Sequence, residues 1–315
     1  MRIYYVINGV FRTGGQLVNL DHVLALRRLG YDALFLVVPP PDAPAGFAPR
    51  FPAGREAPWQ RGLGGIGADD VVVVGEMFGA GVLAVADTPA RKVLHNQGPF
   101  FSFMSFLDVA AIHAWGAEAM VAPSGFAAQM IRRMGWEGPV HVVRPALDPI
   151  FAPVQGPRQL RVAAIPNRRP QEYRLIRGLV RSQRPDLNDV GWLEIRDLPR
   201  AGVARAVGES ELFLATGQLE GLGLPPLEAL ATGALVVGFH GGGGREYASP
   251  ENGDWFDDGR HFEIAETLAA RIDQLRAGES FAARREAGRL TAAAFSRDAF
   301  EAELAVAWRA IAGPP

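Results

Sequence analysis

The chain has 315 residues, 48% of them hydrophobic and 21% charged, with 32 basic against 34 acidic side chains and no cysteine. That composition excludes a disordered chain, a disulfide scaffold, thiolate catalysis and Cys-ligated metal centres, and at this length about two domains are expected. Charge is balanced along the chain, with 12 basic and 12 acidic side chains in residues 1–150 and 20 and 22 beyond them, so no bulk field draws in nucleic acid or an anionic membrane.

The amino terminus, MRIYYVINGV, predicts a strand over Arg2–Ile7 rather than a secretory leader. No apolar stretch reaches the roughly 20 residues that span a bilayer, which predicts a cytoplasmic chain and leaves only peripheral membrane contact open. A loop ending in Thr13-Gly14-Gly15 leads into a helix with Leu17, Leu20, Val23, Leu24 and Leu26 at helical spacing, and Ala33–Val38 then reads as a buried strand. Pro39–Gly67 is crowded with Pro and Gly and predicts an irregular excursion. Val71–Val74, Lys92–Leu94, Ala117–Ala122 and Val140–Val143 predict further strands, and Ser124 a cap for a helix over Phe126–Met134. Arg144–Pro153 carries three prolines in ten residues and predicts the interdomain connection.

The alternation then restarts. Arg161–Ile165, Gly191–Ile195, Leu212–Ala215 and Leu235–Phe239 predict strands, with helices over Pro170–Arg181, through Val207, and over Pro226–Thr232. Two alternating series imply two α/β domains with parallel sheets covered on both faces. Phe262–Leu275 and Arg297–Ile311 predict closing amphipathic helices.

In such sheets ligands bind beyond the carboxyl ends of the strands, so loops after strands hold the candidate residues. Glu220 and Glu228 stand eight positions apart, and a continuous helix would separate them by about 12 Å. Pro225 and Pro226 forbid that helix. With Pro226 at the first helical position, Glu220 stays in the loop and Glu228 falls in the first turn, where the helix dipole favours a carboxylate able to accept from a ribose diol. Gly221 and Gly223 would let backbone N–H groups approach a diphosphate. A charge complementing the helix and a simple tight turn account for the same residues.

Downstream context narrows the choice. EGLGLPPLEALATGALVV followed by GGGRE resembles the family 4 type of retaining, GT-B-fold glycosyltransferases (glycosyl transferases group 1). That family carries E-x7-E in an EGFGLP-like loop, an EAMA-x-G helix, a VV strand and a GG-x-x-E turn. The resemblance runs over nearly the whole chain and is strongest over residues 212–258. It implies an α/β GT-B fold, two Rossmann-like domains with parallel sheets facing a central cleft. An acceptor-side domain would span 1–152 and a donor-side domain 153–295, with a helix over 296–315 packing back on the first.

The resemblance also implies site roles. Glu228 would hold the ribose, Glu220 the donor sugar, and the backbone of Gly221, Leu222, Gly223 and Leu224 the phosphates or sugar. Arg169 and Arg174, five positions apart, would neutralise the diphosphate, Arg174 standing where the family has Lys and Arg168 competing for the first role. Two solvated arginines at a helix start are the alternative. Gly14 and Gly15 would approach the donor, and His95 would line the site beside the transferred sugar, although in isolation it reads as a packed or surface histidine. No metal and no cofactor are implied beyond a nucleotide diphosphate sugar as co-substrate. The acceptor would be a glycan, lipid-linked or small-molecule hydroxyl, used in polysaccharide, glycolipid or other glycoconjugate biosynthesis. The aromatic run Phe100, Phe101, Phe103 and Phe106 fits either core packing or contact with sugar or lipid. Alternatives are an epimerase or hydrolase on the same fold and a non-catalytic nucleotide-sugar-binding protein. A dinucleotide-dependent oxidoreductase is disfavoured because no G-x-G-x-x-G is completed.

Overall fold

The computed structural model describes residues 1–11, 13–44 and 46–315, so Ala45, within the stretch predicted to be irregular, lies outside the described residues. The chain divides into two compact units, Met1–Pro145 with Asp298–Pro315, and Ala146–Arg297.

The first unit is built on seven parallel strands, β1 (Ile3–Ile7), β2 (Ala33–Val37), β3 (Trp59–Arg61), β4 (Val71–Gly75), β5 (Arg91–His95), β6 (Ala117–Ala122) and β7 (Val140–Val142), in the spatial order β3-β2-β1-β4-β5-β6-β7. Every residue of β1 and β2 is buried, which is why these strands read as continuous apolar runs rather than alternating ones. Helices α1 (Gly14–Arg28), α2 (Gly79–Ala84), α3 (Val109–Ala114) and α4 (Gly125–Arg133) connect them. Thr13 and Gln16 form a reciprocal capping box at the start of α1, and Ser124 caps α4 by accepting from Ala127 N–H at 2.9 Å. The last helix of the chain, α10 (Arg297–Ala312), buries Phe300 and Trp308 in this unit, against His22 and Tyr5, at ring separations of 5.2 and 6.3 Å.

The second unit holds five parallel strands, β8 (Gln159–Ala164), β9 (Gly191–Glu194), β10 (Ser210–Thr216), β11 (Leu235–Phe239) and β12 (Gly253–Phe256), in the order β12-β11-β10-β8-β9. Its helices are α5 (Pro170–Gln183), α6 (Arg200–Gly208), α7 (Leu224–Thr232), α8 (His261–Arg276) and α9 (Ala282–Ala293). The division after Pro145 assigns the proline-rich connection to this unit, where Phe151 is buried and Leu147 N–H donates to Phe295 O at 2.9 Å.

Strand β3 lies inside the stretch predicted to be irregular. It has three residues, two of them exposed, at a sheet edge, and so carries no apolar pattern. Helix α9 is likewise absent from the hydrophobic periodicity, because it buries only Gly288 and Ala292; a side chain at 288 would meet Leu230 of α7 at 3.0 Å. Among the described residues, no helix is long and apolar enough to cross a membrane.

Candidate active site

In the second sheet the chain runs from β8 to β9 on one side and returns to place β10 on the other. The crevice beyond the carboxyl ends of β8 and β10 is therefore the topological switch point, where ligands of open α/β sheets bind. Arg168 follows β8 and Glu220 follows β10, and they pair across this point, Nε to Oε1, at 2.8 Å.

Glu220 is held through its backbone. Its N–H donates to Gly241 O at 2.9 Å and its carbonyl accepts from Gly243 N–H at 3.0 Å. Leu219, just before it, takes φ 52°, a left-handed conformation that costs an L residue roughly 1–2 kcal/mol and is kept here by these flanking bonds. The glycines of the second loop serve the same contact: a Cβ on Gly243 would lie 2.5 Å from both Gly221 C and Leu222 N. Sequence reasoning gave Gly221 the task of approaching a ligand; the close approach observed at this residue is to the Gly243 turn. His240, to which no role was given, orders that turn. Its Nδ1 accepts from Gly242 N–H at 3.0 Å, so Nε2 carries the proton it shares with Asp257 Oδ1 at 2.8 Å.

Helix α7 starts at Leu224, two residues before the predicted start, with Gly223 as a left-handed N-cap at φ 84°. Pro225 and Pro226 fit the first turn because their missing N–H groups have no intrahelical acceptor there. Glu228 consequently lies in the second turn rather than the first. It is 3% exposed, and burial pushes its carboxyl above the usual range against the pull of Arg200, whose Nη1 donates to Oε1 at 2.8 Å. The ionised form expected from the helix dipole alone thus depends on a specific cation. Burial also raises Glu220, opposed by Arg168. Tyr247, a buried phenol raised by desolvation and by both of these carboxylates, donates to Gly223 O at 2.5 Å. Tyr247→Phe should cost about 1–2 kcal/mol by stranding that carbonyl, seen as a lower melting temperature.

The basic pair divides. Arg169, predicted to meet the diphosphate, is 4% exposed and turned into the unit. Its Nε donates to Gly217 O at 3.0 Å, Nη1 to Glu172 at 2.7 Å and Nη2 to Asp258 at 2.5 Å, and its guanidinium lies 4.4 Å from the Phe239 ring centroid. Arg169 is therefore an anchor of the sheet end, and Arg168, 44% exposed along its side chain, is the cation presented at the crevice. Arg174, at the fifth position of α5, is exposed and makes no ion pair among the described residues. Lys92 is the only lysine of the sequence and belongs to the first unit, so every non-histidine cation of the second is a guanidinium, with planar bidentate reach.

Gly14, Gly15 and His95 belong to the first unit. The glycines form the first turn of α1 rather than a loop before it. His95, expected beside the sugar, is 1% exposed inside the unit, with Nδ1 2.7 Å from Asn19 Oδ1 and its ring 4.5 Å from that of His22. Burial lowers its pKa to about 3, so it is a neutral packed histidine and is not assigned to proton transfer. Asn19 also accepts from Gln97 Nε2, which donates in turn to Gly15 O, both at 3.1 Å, so the cluster ties β5 to the start of α1. Sequence reasoning missed Arg200 and Tyr247; only their positions, after Pro199 and just beyond the GGGRE turn, hinted at them. Among the described residues, no group of three or more His, Asp or Glu side chains could hold a metal ion.

Comparison with known proteins defines the fold class. The chain superimposes on HepE of Anabaena, solved with UDP and glucose, with a TM-score of 0.72 at 16% identity over 98% of this chain and 100% of that one. Sucrose-phosphate synthase of Thermosynechococcus elongatus matches with a TM-score of 0.69 at 14% identity, over 98% of each chain. The chain is an α/β protein of the GT-B fold. In sequence it is 26% identical over 289 residues to the alpha-1,6-glucosyltransferase of Actinobacillus pleuropneumoniae serotype 7 (strain AP76), covering 89% of this chain and 86% of that relative. No protein-family model matches the chain.

Proposed function

We propose that the chain is a glycosyltransferase of the retaining, family 4 type, moving a sugar from a UDP-sugar to a hydroxyl acceptor in glycoconjugate biosynthesis without a bound metal. The observation that carries this reading is the pairing of Arg168 with Glu220 at the switch point of the second sheet, beside the 221–224 backbone and the buried Glu228. The alpha-1,6-glucosyltransferase relative and the UDP-bound HepE support the class and make UDP-glucose the first donor to test.

In this reading Glu228 accepts from the ribose diol, while Arg168, replacing Arg169 in the predicted pair, and Arg174 meet the diphosphate. Glu220 orients the sugar, and Gly14 and Gly15 keep their proposed donor role. The acceptor oxygen bonds the anomeric carbon on the face the diphosphate leaves. The bond electrons depart with UDP, and the hydroxyl proton passes to a phosphate oxygen. Fixed cations then stabilise charge that appears only as the bond breaks.

Thermal shift with UDP-glucose tests the donor site: ligand at a hundred times its Kd should stabilise the fold by about 2.7 kcal/mol, with ADP and GDP weaker. Mass analysis should find glycosylated acceptor, no free or epimerised sugar without acceptor, and undiminished turnover in EDTA. No stabilisation by any nucleotide diphosphate would remove the donor site. Free epimerised sugar would favour the epimerase alternative.

A further inference from the structure

Arg200 opens α6, and its side chain joins three groups that the sequence scatters. Nη1 donates to Glu228 Oε1 at 2.8 Å, Nε lies 3.6 Å from Asp148 Oδ2, and the guanidinium stacks 4.6 Å from the centroid of the buried Phe151 ring. Among the described residues no other protein donor hydrogen-bonds the Glu228 carboxylate, so Oε2 is left without one. Building on the nucleotide reading above, we propose that Arg200 is a positioning residue of the ribose subsite: by gripping Oε1 it supplies the counter-charge of a buried carboxylate and leaves Oε2 to accept from a vicinal diol.

A carboxylate this deeply enclosed loses hydration that one hydrogen bond does not replace, and it stays charged only beside a cation. The charged and titratable groups facing Glu228 are Arg200 from α6, Asp148 from the connection before β8, and Tyr247 from the loop after β11. Asp148 pushes the Glu228 carboxyl up and Arg200 pulls it down. Phe151 beneath the guanidinium and Asp148 beside it fix where Arg200 stands, and a diol donates well only to an ionised acceptor.

Arg200→Met keeps a stem to cover Phe151 but removes the charge, so desolvation and Asp148 act on Glu228 unopposed and its folded-state pKa rises. The ionised form is then lost as pH falls through that higher value. UDP-glucose affinity, measured by calorimetry without acceptor between about pH 4 and about pH 9, should be flat in the native chain down to its acid limit. In Arg200→Met it should fall by up to about tenfold per pH unit on the acid side and recover towards alkaline pH. Arg200→Lys should restore the flat profile. Asp148→Asn, which keeps the Oδ1 acceptor for Ile150 N–H, should move Glu228 the opposite way and stays informative if Arg200→Met does not fold. It should leave affinity flat to lower pH than in the native chain, and an unchanged acid limit counts against the proposal. Affinity weakened equally at all pH values in Arg200→Met, or unrestored by lysine, would overturn the positioning role while leaving the nucleotide site intact. A native chain that binds no UDP-glucose at any pH would overturn both.

Discussion

Arg168→Met is expected to lower turnover at saturating donor about a hundredfold and to leave the melting temperature nearly unchanged, whereas Arg169→Met is expected to do the reverse. The two neighbours differ in what surrounds them. Arg168 makes its ion pair with Glu220 through Nε from a half-exposed side chain. A fixed donor aimed at a departing charge contributes about 2.7–4 kcal/mol to the transition state. Its loss leaves Glu220, already raised by burial, free to take a proton, which limits the cost to folding. Arg169 is enclosed by Gly217 O, Glu172, Asp258 and the Phe239 ring. Removing it strands the Gly217 carbonyl, leaves Glu172 only its His261 contact and uncovers the Phe239 ring, at about 2–4 kcal/mol and roughly 5–12 °C in the transition of the second unit. Scanning calorimetry beside a saturated-donor assay separates the two. Lost activity in Arg169→Met at full stability would return the diphosphate role to that residue.

Gly243→Ala should destabilise the second unit by about 2–4 kcal/mol and weaken UDP binding more than tenfold. The added Cβ would meet backbone at 2.5 Å on Gly221 C and Leu222 N and at 2.6 Å on Glu220 O, and backbone atoms have no rotamer by which to yield. The loops must part, breaking the Gly243-to-Glu220 bond that aims the carboxylate. Gly244→Ala meets only side-chain atoms, at 3.4 Å, and should change stability by less than about 1 kcal/mol. Chemical denaturation of both variants checks the contrast; equal stability would show that the turn can relax.

Both series of alternating strands and helices were legible in the sequence because fully buried parallel strands read as unbroken apolar runs, as in Val71–Gly75. The same logic passed over β3, an exposed edge of three residues, and α9, whose buried face is glycine and alanine. Within the candidate site the E-x7-E segment and its prolines located Glu220 and Glu228 and forbade one helix between them. The start of α7 moved by two residues because either proline suits a first turn.

By itself, the sequence determined that the chain folds as two α/β units and that a proline-broken loop after a strand separates Glu220 from Glu228, since hydrophobic period and proline geometry are local. Only the tertiary structure decided which of two adjacent arginines pairs with Glu220, that His95 is a core residue, and that the buried Glu228 is hydrogen-bonded by Arg200, 28 positions away. Those outcomes depend on which carboxylates, rings and carbonyls are brought within a few ångströms by crossovers between distant strands, and no spacing along the chain encodes that.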